Sequence, residues 1–276
     1  MDIKIYSDSA CTWSFGEEKI LRAIDYIYFG KVKFTNVMGG LFSDYRDLLP
    51  INMKDQDSTE MANKILFEMW KTGENFHHMP MMKKAPELLS EEKSSVYPID
   101  IGFVAARLTD EKRANEYLRA LREATILYGR NTMEKEVQIE IAEELGFDLE
   151  SYKDNLYNYA NEEFLEDRMD AFDHRFTLFP NFIYKNSENR EVLAKGYKNL
   201  KDLMTFIDEN ETLEKRTIIT DKENVFDFIK EYKKVFKVEI LEIFEKDKID
   251  DILKNLEEEN KVEIYEVGTG IEIKVL

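Results

Sequence analysis

The stretch Ile3-Lys4-Ile5-Tyr6-Ser7-Asp8-Ser9-Ala10-Cys11-Thr12-Trp13-Ser14 decides how the chain is read. A short apolar strand runs through small, turn-forming residues into a helix, and the turn carries the only cysteine among 276 residues. At a strand-to-helix turn a side chain meets the positive end of the helix dipole, where anions are favoured and backbone N–H groups are free to bond them. For a thiol this predicts an exposed position, a lowered pKa and greater nucleophilicity. Cys11 is therefore the candidate nucleophile, set against the common fate of a free cysteine as a small buried hydrophobe. Ser14 can donate its hydroxyl to a thiolate but cannot attack a mixed disulfide. A disulfide made at Cys11 must then be released by another molecule's thiol. Glu17 and Glu18 suit a helix N-terminus, yet they lie close enough to disfavour a second negative charge.

Outward from this stretch, Phe15, Ile20, Leu21, Ile24, Ile27 and Tyr28 recur at helical spacing up to Gly30. Val32, Phe34 and Val37 then alternate as a strand, completing a β-α-β unit closed by Gly39-Gly40. From about Pro50 to Phe172 the pattern is helical, with apolar stripes at 59–70, 98–109, 114–128, 134–145 and 152–172 that read as core-facing. Phe179-Pro180-Asn181-Phe182-Ile183-Tyr184 and Glu191-Val192-Leu193-Ala194 read as strands around a turn at Asn186 to Asn189, followed by a helix from Asn199 to Asp208. This is an α/β layout with a large helical insertion. Residues 209–276 read as a second, α+β unit. Helices are expected at 223–234 and 247–259, the stretch Val235 to Phe244 fits either state, and a hairpin over Val262–Val275 turns at Gly268-Thr269-Gly270. Helices followed by such a hairpin suggest a winged-helix-like module.

The formal charge is −18, from 57 acidic and 39 basic residues. Such a surface repels phosphate backbones and anionic lipids. The helix that a winged module would lay in a DNA groove carries Asp247, Asp250, Asp251, Glu257, Glu258 and Glu259 against Lys248 and Lys254, so protein is the expected partner there and nucleic acid is not. Met1 leads directly into a strand pattern, and no uncharged apolar run reaches membrane-spanning length, so no membrane association and a cytoplasmic location are expected. A lone cysteine fits a reducing compartment. Phe76-His77-His78-Met79-Pro80-Met81-Met82 offers imidazoles and thioethers to a soft metal but lacks acidic or thiol partners at ligand spacing. It reads instead as a flexible, Met-rich loop over the site, with no metal. His174 reads as structural.

Taken in order, Cys11-Thr12-Trp13-Ser14, Gly39-Gly40-Leu41, Ser94-Ser95-Val96-Tyr97-Pro98, Tyr117-Leu118-Arg119-Ala120-Leu121-Arg122-Glu123-Ala124 and Phe179-Pro180 resemble the DsbA family of thioredoxin-fold proteins, and most closely its FrnE-like branch. The resemblance covers about residues 1–209. It implies a thioredoxin-like domain at 1–208 with its helical insertion at about 50–172, and a separate module at 209–276. It implies further that Cys11 is the catalytic nucleophile, that Phe179-Pro180 is a cis peptide facing an extended substrate, and that Trp13, Phe179 and Pro180 touch that substrate. The family's motif is Cys-x-x-Cys; here its last position is Ser14, which leaves monothiol isomerase, reductase or glutathione-linked chemistry. No resident cofactor is implied, and glutathione or another small thiol would serve as co-substrate. The Spx adaptors of the ClpXP protease are similar in joining a DsbA-like domain to a winged-helix-like one. They supply the alternative of a non-catalytic adaptor holding a protein partner, although the Cys- and His-rich N-terminal extension of some adaptors is missing.

Overall fold

A computed structural model describes residues 1–53 and 58–276. Residues 54–57, near the start of the expected helical insertion, lie outside the described residues. The opening apolar run forms β1 (Asp2–Ser7), and Cys11 sits at the N-cap of α1 (Thr12–Ile27) with extended backbone. The next strand, β2 (Lys33–Met38), lies parallel to β1. After the insertion come β3 (Asn181–Lys185), antiparallel to β1, β4 (Glu191–Lys195), antiparallel to β3, and α8 (Leu200–Asn210). The sheet order is β2-β1-β3-β4. Side chains alternate across a strand, so β1 feeds two cores. Ile3 and Ile5 pack with Ile20 and Ile24 of α1 and with Leu203 and Ile207 of α8. Tyr6 faces the other way, into the cluster that holds Cys11.

Among the described residues the insertion holds six α-helices: α2 (Thr59–His77), α3 (Tyr97–Thr109), α4 (Ala114–Arg122), α5 (Lys135–Glu144), α6 (Leu149–Asn158) and α7 (Ala160–Asp173). A single π-helical turn, Glu123–Leu127, continues α4. The stripe expected as one helix over 152–172 is two, because Tyr159 (φ −124°, ψ −35°) leaves helical backbone and ends α6 where α7 begins. Together the elements form a thioredoxin-like fold with a large helical insertion, as expected.

The expectation of a flexible loop at 76–82 is corrected. Phe76 and His77 belong to α2, which ends on left-handed His78 (φ 60°), and Met79 and Met81 are buried in the large core. The loop can enter the core because its backbone is satisfied from across the chain. Met81 donates its N–H to Thr269 Oγ1 at 3.1 Å and accepts from the Thr269 N–H at 2.9 Å.

The remaining chain forms α9 (Lys222–Tyr232), β5 (Lys234–Phe236), α10 (Lys237–Ile243), α11 (Lys246–Glu258), β6 (Val262–Val267) and β7 (Gly270–Val275). Its antiparallel sheet runs β5-β7-β6. The undecided stretch Val235 to Phe244 thus divides into the end of a strand and a helix. Val267 pairs with Gly270, which leaves only Gly268 and Thr269 in the turn. Gly268 has φ 51°, and a Cβ there would lie 2.2 Å from the Met81 carbonyl oxygen, so the close approach requires glycine.

This second layer lies along α1, joined through buried charge. Glu239 of α10 has a fully buried side chain and accepts from Arg22 at 2.9 Å, from Arg119 at 3.0 Å and from the Phe236 N–H at 2.7 Å. Burial alone would push its pKa up, but Arg119 and Arg22 outweigh that and hold it below the usual carboxylate range. Glu123, paired with both Arg119 and Lys234, behaves likewise.

Candidate functional site

Asp8 shapes the turn that presents Cys11. Its Oδ1 accepts the Ala10 N–H at 2.7 Å and its Oδ2 accepts the Leu41 N–H at 2.6 Å. Asp100, reaching up from α3, accepts the Ser9 N–H at 2.8 Å. Trp70 of α2 donates its indole N–H to the Ala10 carbonyl at 2.8 Å, and Thr12 donates its hydroxyl to the Trp70 carbonyl at 3.2 Å. The segment after β2, α3 and α2 thus hold Asp8, Ser9, Ala10 and Thr12 on both sides of the thiol.

The Phe179–Pro180 peptide bond is cis, and Cys11 Sγ lies 3.8 Å from the Phe179 carbonyl oxygen. The Phe179 ring occupies the space where a Cβ on residue 39 would stand, 1.9 Å from it, so Gly39 is what lets the ring pack beside the thiol. On the other side Trp13, Phe76 and Tyr197 form a mutually tilted trio with ring centroids 5.5–5.8 Å apart. The fold therefore brings together Cys11, Trp13, Ser14, Phe179 and Pro180 as the sequence suggested.

Their electrostatics differ from expectation. Cys11 is buried, only 5% exposed, rather than open to solvent. Burial, and after it the charge of Asp8, push its pKa above the ordinary thiol value; the Ser14 backbone N–H, the Ser14 hydroxyl and the Trp13 N–H pull the other way without prevailing. The helix-terminus argument named a real effect but omitted desolvation, which is larger here. Alkylation by iodoacetamide should accordingly rise with pH without levelling below about pH 8.5, the ordinary thiol value. A plateau near pH 7 would contradict this electrostatic account.

Ser14 Oγ is buried near the Cys11 sulfur and, among the described residues, has no nitrogen or oxygen partner. Glu17 is also buried, accepts the Lys198 N–H at 2.5 Å, and has its pKa pushed well up by burial, so its expected negative charge is suppressed. Glu18 is compensated by Arg122 at 2.5 Å. Asp100 was missed by sequence reading. It is buried close to Asp8, and burial together with the Asp8 charge pushes its pKa well up. An isolated acid in an apolar helical stripe was the available signal.

His77 Nδ1 accepts the Met79 N–H at 3.0 Å, which leaves Nε2 to donate to Thr12 Oγ1 at 3.1 Å. Burial and nearby Lys19 lower its pKa to about 3, so it braces the turn as a neutral ring. His174 is engaged by the Asp170 backbone carbonyl and by Glu191. Among the described residues no group of three or more His, Cys, Asp or Glu could hold a metal ion, and no helix is long and apolar enough to cross a membrane.

A family model described as thioredoxin matches residues 5–205. A search of curated proteins finds no match. Among solved structures, a "putative protein disulfide isomerase" from Nitrosomonas europaea superposes with a TM-score of 0.62 at 16% identity, over 75% of this chain and 96% of its own. The cytosolic disulfide reductase DsbM from Pseudomonas aeruginosa gives 0.58 at 17% identity, over 76% and 98%, and 0.54 in its structure with GSH. A probable DsbA oxidoreductase from Streptomyces coelicolor gives 0.55 at 17%, over 80% and 93%. These likenesses concern the fold.

Proposed function

Because the chain belongs to this thioredoxin family and is of its DsbA type, we propose that it is a cytoplasmic thiol–disulfide protein of reductase or isomerase type with a monothiol Cys-x-x-Ser site. The Cys11 thiolate attacks one sulfur of a substrate disulfide. That S–S bond breaks, the other substrate sulfur leaves as thiolate, and Cys11 stays in a mixed disulfide. A second thiolate, glutathione or another small thiol, then attacks the substrate sulfur and returns Cys11 as the leaving group. The observation that carries this reading is Cys11 Sγ against the Phe179 carbonyl, with Ser14 one turn on where a resolving thiol would stand. The structure of DsbM, a cytosolic disulfide reductase of similar fold, with GSH supports glutathione as co-substrate and the compartment. A thiol with a raised pKa is a poor leaving group, so captured substrates should be released slowly.

Incubation with glutathione disulfide should place one glutathione on Cys11, read by intact mass, reversed by reduced glutathione and absent in Cys11→Ser. No adduct at excess disulfide would sink the reading.

The buried thiol also favours a second reading, a non-catalytic adaptor that holds a protein partner. We read residues 209–276 as a winged-helix-like module in either case, supported by its order of helix, strand, two helices and hairpin. A protein partner retained by Cys11→Ser would favour the adaptor.

A further inference from the structure

Besides Phe76 of the aromatic trio, a row of exposed large apolar side chains lies on α7 and just after it. Leu165, Met169 and Phe172 are 47%, 67% and 79% exposed, and Leu178 is 77% exposed. Positions 165, 169 and 172 share one face of the helix and span about 10 Å along its axis. Buried Ala171, from the same last turn, packs in the cluster that contains Cys11, Phe176 and Phe179. The stripe therefore ends beside the candidate site.

One flank of the stripe is acidic. Glu162, Glu166 and Asp173 project next to it, are exposed, and form no ion pair among the described residues, whereas Asp167 and Asp170 on the farther side are paired with Arg107 and Lys4. A second copy of this chain would bring the same carboxylates and a further charge of −18 to the contact, and like charges so placed repel. An anionic lipid surface is repelled in the same way.

We propose that this face of α7 is the docking surface for a basic amphipathic helix of a protein substrate, whose apolar side covers Leu165, Met169 and Phe172 while its lysines or arginines meet Glu162, Glu166 and Asp173. The inference deepens the reading of Cys11 as a substrate-capturing thiol and rests on it. It names the substrate class as proteins with such a helix near the disulfide, delivered past Leu178 to the sulfur. Apolar anchors supply the affinity and the acidic flank the choice of partner.

The test uses a fluorescent, cysteine-free helical peptide of leucine and lysine and its leucine–glutamate counterpart, with the full chain. The lysine peptide should bind and lose affinity as salt rises. The double variant Met169→Glu/Phe172→Glu should weaken it about tenfold or more, as loss of interface anchors does. Glu162→Lys/Glu166→Lys should weaken it and flatten its salt dependence. These side chains are exposed, and an unchanged melting temperature checks the fold. Equal binding of both peptides, indifference to the apolar pair, or competition by phosphatidylcholine vesicles that bind the chain instead would overturn the proposal. The peptide has no sulfur, so this result stands or falls apart from the glutathione adduct.

Discussion

Replacing Ser14 by cysteine should raise the reduction of insulin by the pre-reduced protein, with no small thiol present, tenfold or more above the native protein, whose activity under those conditions should be near background. In the native chain the mixed disulfide at Cys11 waits for a thiol from solution. In Ser14→Cys the second thiol lies one helical turn away, and intramolecular attack enjoys an effective concentration far above millimolar. The substitution breaks no bond to nitrogen or oxygen, because Ser14 Oγ has no such partner among the described residues. The new sulfur is buried, so its reactivity will depend on substrate binding as that of Cys11 does. Robust native activity with no external thiol, or a Ser14→Cys variant no better than native, would refute the monothiol account.

The second large effect concerns stability. Glu239→Ala should lower the thermal midpoint at pH 7 by the equivalent of about 3–5 kcal/mol, the usual cost of breaking a buried ion pair by removing one partner. Arg22 and Arg119 would be left facing each other's charge, and the Phe236 N–H would lose its acceptor. The pH sign follows from the direction of the shift. The folded pKa of Glu239 is held below its unfolded value, so its contribution is present above the ordinary glutamate pKa and is lost as pH falls through the folded one. The gap between native and variant should therefore narrow in acid, as differential scanning calorimetry at pH 7 and pH 4 would show. An unchanged midpoint at pH 7 would mean that the contact between α1, α4 and α10 carries no such stabilisation.

The sequence alone determined what is written in local periodicity and in residue chemistry. The alternation of Ile3 and Ile5, the helical spacing from Phe15 to Tyr28 and the two strands flanking Asn186 to Asn189 each follow from which side chains must leave water, and together they fix the α/β layout. Cys11, Trp13, Ser14 and Phe179-Pro180 were legible as a site because a lone cysteine at a strand-to-helix turn is a local feature.

Tertiary structure decided everything that depends on what covers a group. Cys11 is a thiol of raised pKa, not lowered, because Phe179, Trp13 and their neighbours exclude water from it and Asp8 lies beneath it. Asp100 joins the site from 89 positions downstream (100 − 11) through the Ser9 N–H, a pairing no local pattern encodes. Met79 and Met81 became core because Thr269, nearly two hundred residues away, satisfies their loop's backbone. Val235 to Phe244 could be settled only by β7, since a three-residue strand has too few alternations to declare itself and exists because Lys234 to Phe236 pair with Glu272 to Lys274. Periodicity reports that a face is apolar; burial, partners and charge in three dimensions set how each group on it behaves.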